Sequence, residues 1–235
     1  MNERCWVVVP AAGVGRRMAS AVPKQYLPLN GRPVIEHTLN VFLEHPRIDG
    51  VCVALSEDDG WWETIGCRNH PRLLRAPGGA ERCHSVLHGL ERLASQAEDR
   101  DWVLVHDAAR PCLRREDLDL LLDELQDDPV GGLLGVPVHD TVKRVVAGNQ
   151  VEATVPREGL WRAYTPQMFR FALLKKALSD ALIEGALVTD DASAMELAGF
   201  RPRMVEGHAD NIKITRPEDL PLAAFYLRII SGVGE

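Results

Sequence analysis

Two hydrophobic periods run through this chain. Cys5–Pro10, Val51–Ser56, Trp102–His106 and Gly132–Val138 are short, nearly continuous apolar runs bounded by Gly, Pro or polar clusters. Such runs predict strands buried on both faces. Between them the apolar positions recur at helical spacing. Ile35, Leu39 and Phe42 share one face of Pro33–Glu44, and Val86, Leu90 and Leu93 share one face of Arg82–Leu93. Further helices are expected over Glu116–Leu125 and over Phe169–Glu184, the second stopped by Gly185. Thr189-Asp190-Asp191 can cap a short helix through Leu197. Thr215-Arg216-Pro217-Glu218 combines a capping box with an early proline, and opens a last helix with Leu220, Ala223, Leu227 and Ile230 on its apolar side.

Strands alternating with helices predict βαβ units, hence a Rossmann-like α/β fold with a mostly parallel sheet flanked by helices. From His139 to Val155 the pattern changes. Two β-type segments flank the turn Ala147-Gly148-Asn149, which predicts a hairpin arm projecting from the fold. No repeat or linker interrupts the rest, so one domain over 1–235 is expected, with an arm at about 139–157.

Length adds one constraint. At 235 residues and 26.0 kDa, a single core can bury roughly 70–75% of the unfolded chain's surface. Charge adds another. Thirty-four acids against twenty-seven bases give a net charge of −7, opposite to a protein that coats nucleic-acid phosphates. An anionic ligand must therefore be met by a few locally placed Arg and Lys. No apolar stretch approaches the ~20 residues of a membrane span; Trp6–Ala12 is among the longest. Met-Asn-Glu-Arg-Cys at the start lacks the architecture of a signal peptide. Five cysteines without a C-x-x-C pair suit reduced thiols in a cytoplasmic protein.

The candidate chemistry begins directly after the first strand. Pro10-Ala11-Ala12-Gly13-Val14-Gly15-Arg16-Arg17-Met18 leads to Pro23-Lys24-Gln25-Tyr26. Glycines in such a turn let backbone N–H groups approach a phosphate. The run is neither Walker A nor the dinucleotide G-x-G-x-x-G, because Met18 occupies the third glycine's place. A loop carrying Arg16, Arg17 and Lys24 asks for an anion. Asp107 ends a strand at the carboxyl edge of the sheet, where open α/β folds bind ligands. Its carboxylate suits a metal, a ribitol-like hydroxyl or the cap of the next helix. His84 and His88 lie one helical turn apart but lack a third zinc ligand in the sequence pattern, and read as surface histidines.

The glycine-rich turn with its Pro-Lys resembles the signature of nucleotidyltransferases acting on sugar or polyol phosphates. Further segments follow in order: Val105-His106-Asp107-Ala108-Ala109-Arg110-Pro111, Asp140-Thr141-Val142-Lys143-Arg144, Thr165-Pro166-Gln167, Thr189-Asp190-Asp191-Ala192-Ser193 and Glu206 to Lys213. Together they resemble the 2-C-methyl-D-erythritol 4-phosphate cytidylyltransferase family over about residues 6–230. That resemblance implies cytidylyl transfer from CTP to the polyol phosphate, without a covalent enzyme intermediate.

The same resemblance assigns roles to residues. Arg17, Lys24 and Lys213 are the catalytic cations. Ala11, Ala12, Gly13, Gly15, Gly79, Ala80, Ser85 and Asp107 hold the nucleotide, and Ala108, Arg110, Thr141 and Arg157 the acceptor. A divalent cation, Mg²⁺, sits on the triphosphate, with Asp107 and Asp210 as its acids. A homodimer exchanging arms would deliver Thr141 and Arg157 to the partner's site. Ala80 and His84 stand where the family often has acids, and Pro156 where an acid is common. Two other readings stay open: a cytidylyltransferase for another polyol phosphate such as ribitol 5-phosphate, and a nucleotide-binding regulator without turnover.

Overall fold

The computed structural model describes residues 3–13 and 22–232. In chain order the main elements are β1 (Cys5–Pro10), β2 (Pro28–Leu29), β3 (Arg32–Pro33), α1 (Val34–Leu43), β4 (Gly50–Leu55), β5 (Leu73–Pro77), α2 (Arg82–Leu93) and β6 (Trp102–Val105). There follow α3 (Arg115–Leu125), β7 (Gly131–Pro137), β8 (Val142–Val146), β9 (Gln150–Val155), β10 (Trp161–Arg170), α4 (Phe171–Ile183), α5 (Asp191–Leu197), β11 (Arg203–Glu206) and α6 (Asp219–Ile230).

Seven strands make one sheet in the order β11-β7-β10-β6-β1-β4-β5. Pairing is parallel except for β10, which runs antiparallel to both β6 and β7. The expected Rossmann-like layering is present. Alternate residues of each central strand face opposite layers, as a period of two requires. Val7, Val9, Val51, Val53 and Leu104 pack with Ile35, Leu39 and Phe42 of α1 and with α3. Trp6, Val8, Cys52, Ala54, Val103 and Val105 pack with Val86, Leu90 and Leu93 of α2 and with α4.

Several expectations shift. The strand β10 had no counterpart in the sequence reading, and α4 begins at Phe171 rather than Phe169 because Phe169 pairs with Val103 and Gly131 in the sheet. Pairing of β10 with β7 is interrupted between Ala163 and Gln167, where Pro166 offers no N–H and a bulge is the usual outcome. The last helix opens differently as well. Instead of a Thr215–Glu218 capping box, the Asp219 carboxylate accepts from the Thr215 and Arg216 amides at 2.7 and 2.9 Å. The α5 start agrees with the sequence: Asp190 caps it in a reciprocal box with Ser193.

The hairpin arm exists as a separate two-stranded sheet of β8 and β9. It leaves the main sheet where Val138 donates to the Leu160 carbonyl at 2.9 Å. Val145 and Val151 are cross-strand partners, and both are exposed, at 54% and 62%.

Candidate active site

A cleft of about 660 Å³ opens beyond the carboxyl ends of β1 and β6. Three segments wall it: Pro10–Gly13 after β1, Gly79–Arg82 with Ser85 at the start of α2, and Asp107–Ala109 after β6, with Lys24, Gln25 and Lys213 between them. Position and lining follow the general rule that ligands of open α/β sheets bind outside the carboxyl ends of the strands.

The first two walls are fitted backbone to backbone. A Cβ placed on Gly78 would lie 2.2 Å from the Cβ of Ala12, so any side chain there would push the loops apart. The buried Gln25 side chain donates to the Ala11 and Gly13 carbonyls at 2.7 and 3.1 Å. That fixes the first loop against the short 3-10 turn Lys24–Tyr26. The hydroxyl of Ser85 accepts from the Gly79 amide at 2.9 Å and donates to the Glu81 carbonyl at 3.3 Å. Ser85 therefore shapes the second loop from within. Lys24 donates to the Ile214 carbonyl at 2.8 Å, and the Ile214 amide donates to Ala109 at 2.8 Å. The segment carrying Lys213 is thereby clipped to the Lys24 turn and to the wall after β6.

Asp107 sits at the centre of the cations. Arg82 Nε reaches its Oδ1 at 3.0 Å, while Lys213 Nζ and Arg110 Nε reach Oδ2 at 2.9 and 3.3 Å. Burial alone would push this carboxyl up, but Arg82, Lys213 and Arg110 outweigh it and hold it well below the usual carboxylate range. Asp107 caps no helix, since α3 starts only at Arg115. On its other side Arg82 donates to Asp191 Oδ2 at 2.8 Å. Asp191 is fully buried, and burial pushes its carboxyl up against the pull of Arg82.

Behind Asp107 a polar chain continues inward. The Asp107 amide donates to Thr165 Oγ1 at 3.2 Å, and Thr165 Oγ1 lies 2.9 Å from His106 Nδ1. His106 Nε2 lies 3.0 Å from the Arg110 carbonyl. One assignment satisfies every member: the threonine hydroxyl donates to Nδ1, and Nε2–H donates to the carbonyl. His106 is then neutral. Burial lowers its pKa to about 4, against the opposing pull of the Arg110 carbonyl and Asp107. Between about pH 6.5 and 4 the unfolded chain binds a proton that the folded chain refuses, so this group withdraws stability as pH falls through that window. The expected result in an imidazole NMR titration is a neutral, Nε2-protonated His106 at every pH above 5. Titration near 6.5 would refute the assignment.

Of the residues expected from sequence, Ala11, Ala12, Gly13, Lys24, Gly79, Ala80, Ser85, Asp107, Ala108 and Lys213 line this cleft. Gly15 and Arg17 lie outside the described residues. Arg110 is not in the lining. Its buried guanidinium bonds Asp107 and the Asn211 carbonyl at 2.7 Å and stacks 4.8 Å from the Tyr164 ring. It supports Asp107 from behind the cleft. Asp210 is likewise absent from the lining, and its Oδ2 is paired with Arg114 Nε at 2.9 Å. Thr141 and Arg157 are exposed on the arm and absent from the lining; Arg157 bonds the His139 carbonyl.

Arg82 went unassigned in the sequence, yet one local signal pointed to it. A cation in the first turn of a helix opposes the helix dipole unless an acid pairs with it. Asp191, Gln25 and Thr165 carried no such signal.

A mostly parallel α/β sheet with a glycine-lined, cation-rich cleft at its carboxyl edge defines a nucleotidyltransferase-type fold. The family model described as "IspD: 2-C-methyl-D-erythritol 4-phosphate cytidylyltransferase" matches residues 5–229, and the chain belongs to this family. A protein of Pseudomonas fluorescens (strain SBW25) bearing that enzyme name is 57% identical over 224 residues, covering 94% of this chain and 95% of that one. A crystal structure of a 4-diphosphocytidyl-2C-methyl-D-erythritol synthase superposes with a TM-score of 0.84 at 36% identity, covering 97% and 99% of the two chains. The Francisella tularensis IspD crystal structure gives 0.81 at 36% identity, covering 95% and 100%.

Proposed function

We infer that this chain transfers the cytidylyl group of CTP to 2-C-methyl-D-erythritol 4-phosphate, a step of the non-mevalonate isoprenoid pathway. The carrying observation is the cleft itself, in which Lys24, Arg82 and Lys213 converge on backbone loops shaped for a phosphate chain. A phosphate oxygen of the acceptor attacks the α-phosphorus of CTP. The bond from that phosphorus to the bridging oxygen breaks, and pyrophosphate leaves with the electron pair. Because the attacking phosphate oxygen is already anionic, no general base is needed. Asp107, held ionised by three cations, orients rather than accepts a proton. Lys24 and Lys213 neutralise charge as it grows on the α-phosphoryl group, and Arg17 of the first loop would join them. The Pro10–Gly13 and Gly79–Ser85 loops take the nucleotide.

The donor set also bears on a metal. Mg²⁺ in such reactions is held largely by phosphates with one or two carboxylates. Asp107 accepts three hydrogen bonds or ion contacts, and a carboxylate has about four lone-pair sites. One lone-pair site on its Oδ1 therefore remains for a nucleotide-bound ion. The ion's contribution would be charge neutralisation on the triphosphate.

Acceptor contacts and assembly form one proposal. An isolated two-stranded hairpin is marginal in water, and this one exposes Val145 and Val151. A two-fold dimer would cover that face and bring Thr141 and Arg157 of each arm to the opposite cleft. Among the described residues no helix is long and apolar enough to cross a membrane. All five cysteines are free thiols, which suits a reducing cytoplasm.

The test is pyrophosphate release with CTP and a panel of polyol phosphates. The 2-C-methyl-D-erythritol compound should be preferred, with turnover lost on chelation and restored by Mg²⁺. Preference for ribitol 5-phosphate would overturn the acceptor, undiminished turnover after chelation the metal, and no release with any acceptor the reading as an enzyme.

A further inference from the structure

Three potential metal ligands lie together at the start of α2, on the rim of the nucleotide cleft. Glu81, Cys83 and His84 place a carboxylate oxygen, a sulfur and a ring nitrogen all within 4.8 Å of one another. Cys83 Sγ stands 3.8 Å from Glu81 Oε2 and 3.8 Å from His84 Nδ1. Bond lengths of about 2.0–2.3 Å to a tetrahedral zinc require ligand separations of roughly 3.3–3.6 Å. The two sulfur pairs are within a few tenths of an ångström of that geometry, and the oxygen–nitrogen pair lies within 4.8 Å.

The ligand chemistry also selects. Thiolate and imidazole favour zinc over the hard Mg²⁺ of a phosphate site. Thiolate and carboxylate together balance the ion's charge; burial pushes the free Cys83 thiol up, so the ion must displace its proton on binding. Glu81 is exposed and His84 half-buried, while Cys83 is buried behind them. The sequence pair His84 and His88 does not form this set, because His88 Nδ1 is 3.1 Å from the Pro77 carbonyl.

We propose that Glu81, Cys83 and His84 form a three-ligand Zn²⁺ site on the cleft rim, with the fourth position left to water. The proposal does not depend on the transfer reaction, and its readout is metal binding. Metal-free protein would be titrated with Zn²⁺ against a chromophoric chelator, and with Co²⁺ followed by thiolate charge-transfer absorption. One equivalent should bind with a thiolate band. Cys83→Ser and His84→Ala should each abolish the band and weaken Zn²⁺ by at least about 10-fold, the lower end of what even indirect ligand partners cost. His88→Ala should change neither. An unchanged circular-dichroism spectrum and melting temperature in Cys83→Ser would show that the variant is folded. Substoichiometric binding, a band that survives Cys83→Ser, or loss of binding in His88→Ala would each overturn the site.

Discussion

Replacing Lys24 with alanine should lower kcat by on the order of 10²–10³, the usual cost of removing one donor aimed at transition-state charge. The Michaelis constant for CTP should move far less. Lys24 sits on a turn locked to the first loop by Gln25, and its ammonium is tied to the Ile214 carbonyl beside Lys213. An ammonium so placed is best used where negative charge grows during the step rather than on the bound nucleotide. Lys213→Ala is a less clean experiment. It also removes one of the cations that hold Asp107 ionised, so it disturbs the site's resting charge together with the reaction. Steady-state kinetics of Lys24→Ala decides the matter. A rise in the Michaelis constant with kcat unchanged would give Lys24 a purely ground-state role.

Mixing two inactive variants should restore activity. Lys24 lines the cleft, whereas Arg157 lies on the exposed arm and does not line the cleft of its own chain. If arms cross a two-fold axis, a dimer of one Lys24→Ala chain and one Arg157→Ala chain has one doubly defective site and one intact site. Random re-association makes half of the dimers mixed. Activity should then climb from nearly nothing to roughly a quarter of wild type by this symmetry count. Co-refolded, differently tagged chains purified through both tags give the mixed species directly, and it should show about half of wild-type activity. Mixed dimers without recovery would place Arg157's action in its own chain.

What could be read from the chain depended on how local each signal was. The helix Arg82–Leu93 carries its apolar face and boundaries within itself, and the structure has the same ends. The arm declared itself by alternating residues around Gly148, whose φ of 78° suits glycine. The strand β10 did not, because Pro166 and the pairing shift beside it break the alternation that marks a strand. The short strands β5 and β11 also went unread; β11 pairs only with β7, at one end of the sheet. The site divides the same way. Gly13, Lys24 and Asp107 stand in compact motifs. The bond between Arg82 and Asp191 joins positions 109 residues apart, and only the fold brings them together. The pairing of Asp210 with Arg114 likewise spans 96 positions and could not be read from the chain.

The way the arm is attached carries a consequence for how this architecture can vary. Trp161 of β10 pairs directly with Pro137 of β7, and the pairing extends to Val138 and Leu160 just before the chain leaves the sheet. The whole arm is thus a decoration at the tip of an ordinary antiparallel hairpin, and the seven-stranded sheet closes without it. Chain length added at such a tip is cheap, since closing a longer loop costs only slowly more entropy, and hairpin tips are where insertions are best tolerated. Residues 139–159 could be lengthened, recoded or exchanged for a tight turn while Asp107, Thr165 and the nucleotide loops keep their register. On the proposed arm exchange, nucleotide handling and acceptor choice would diversify as separate modules, one held by the sheet and the other carried by the hairpin.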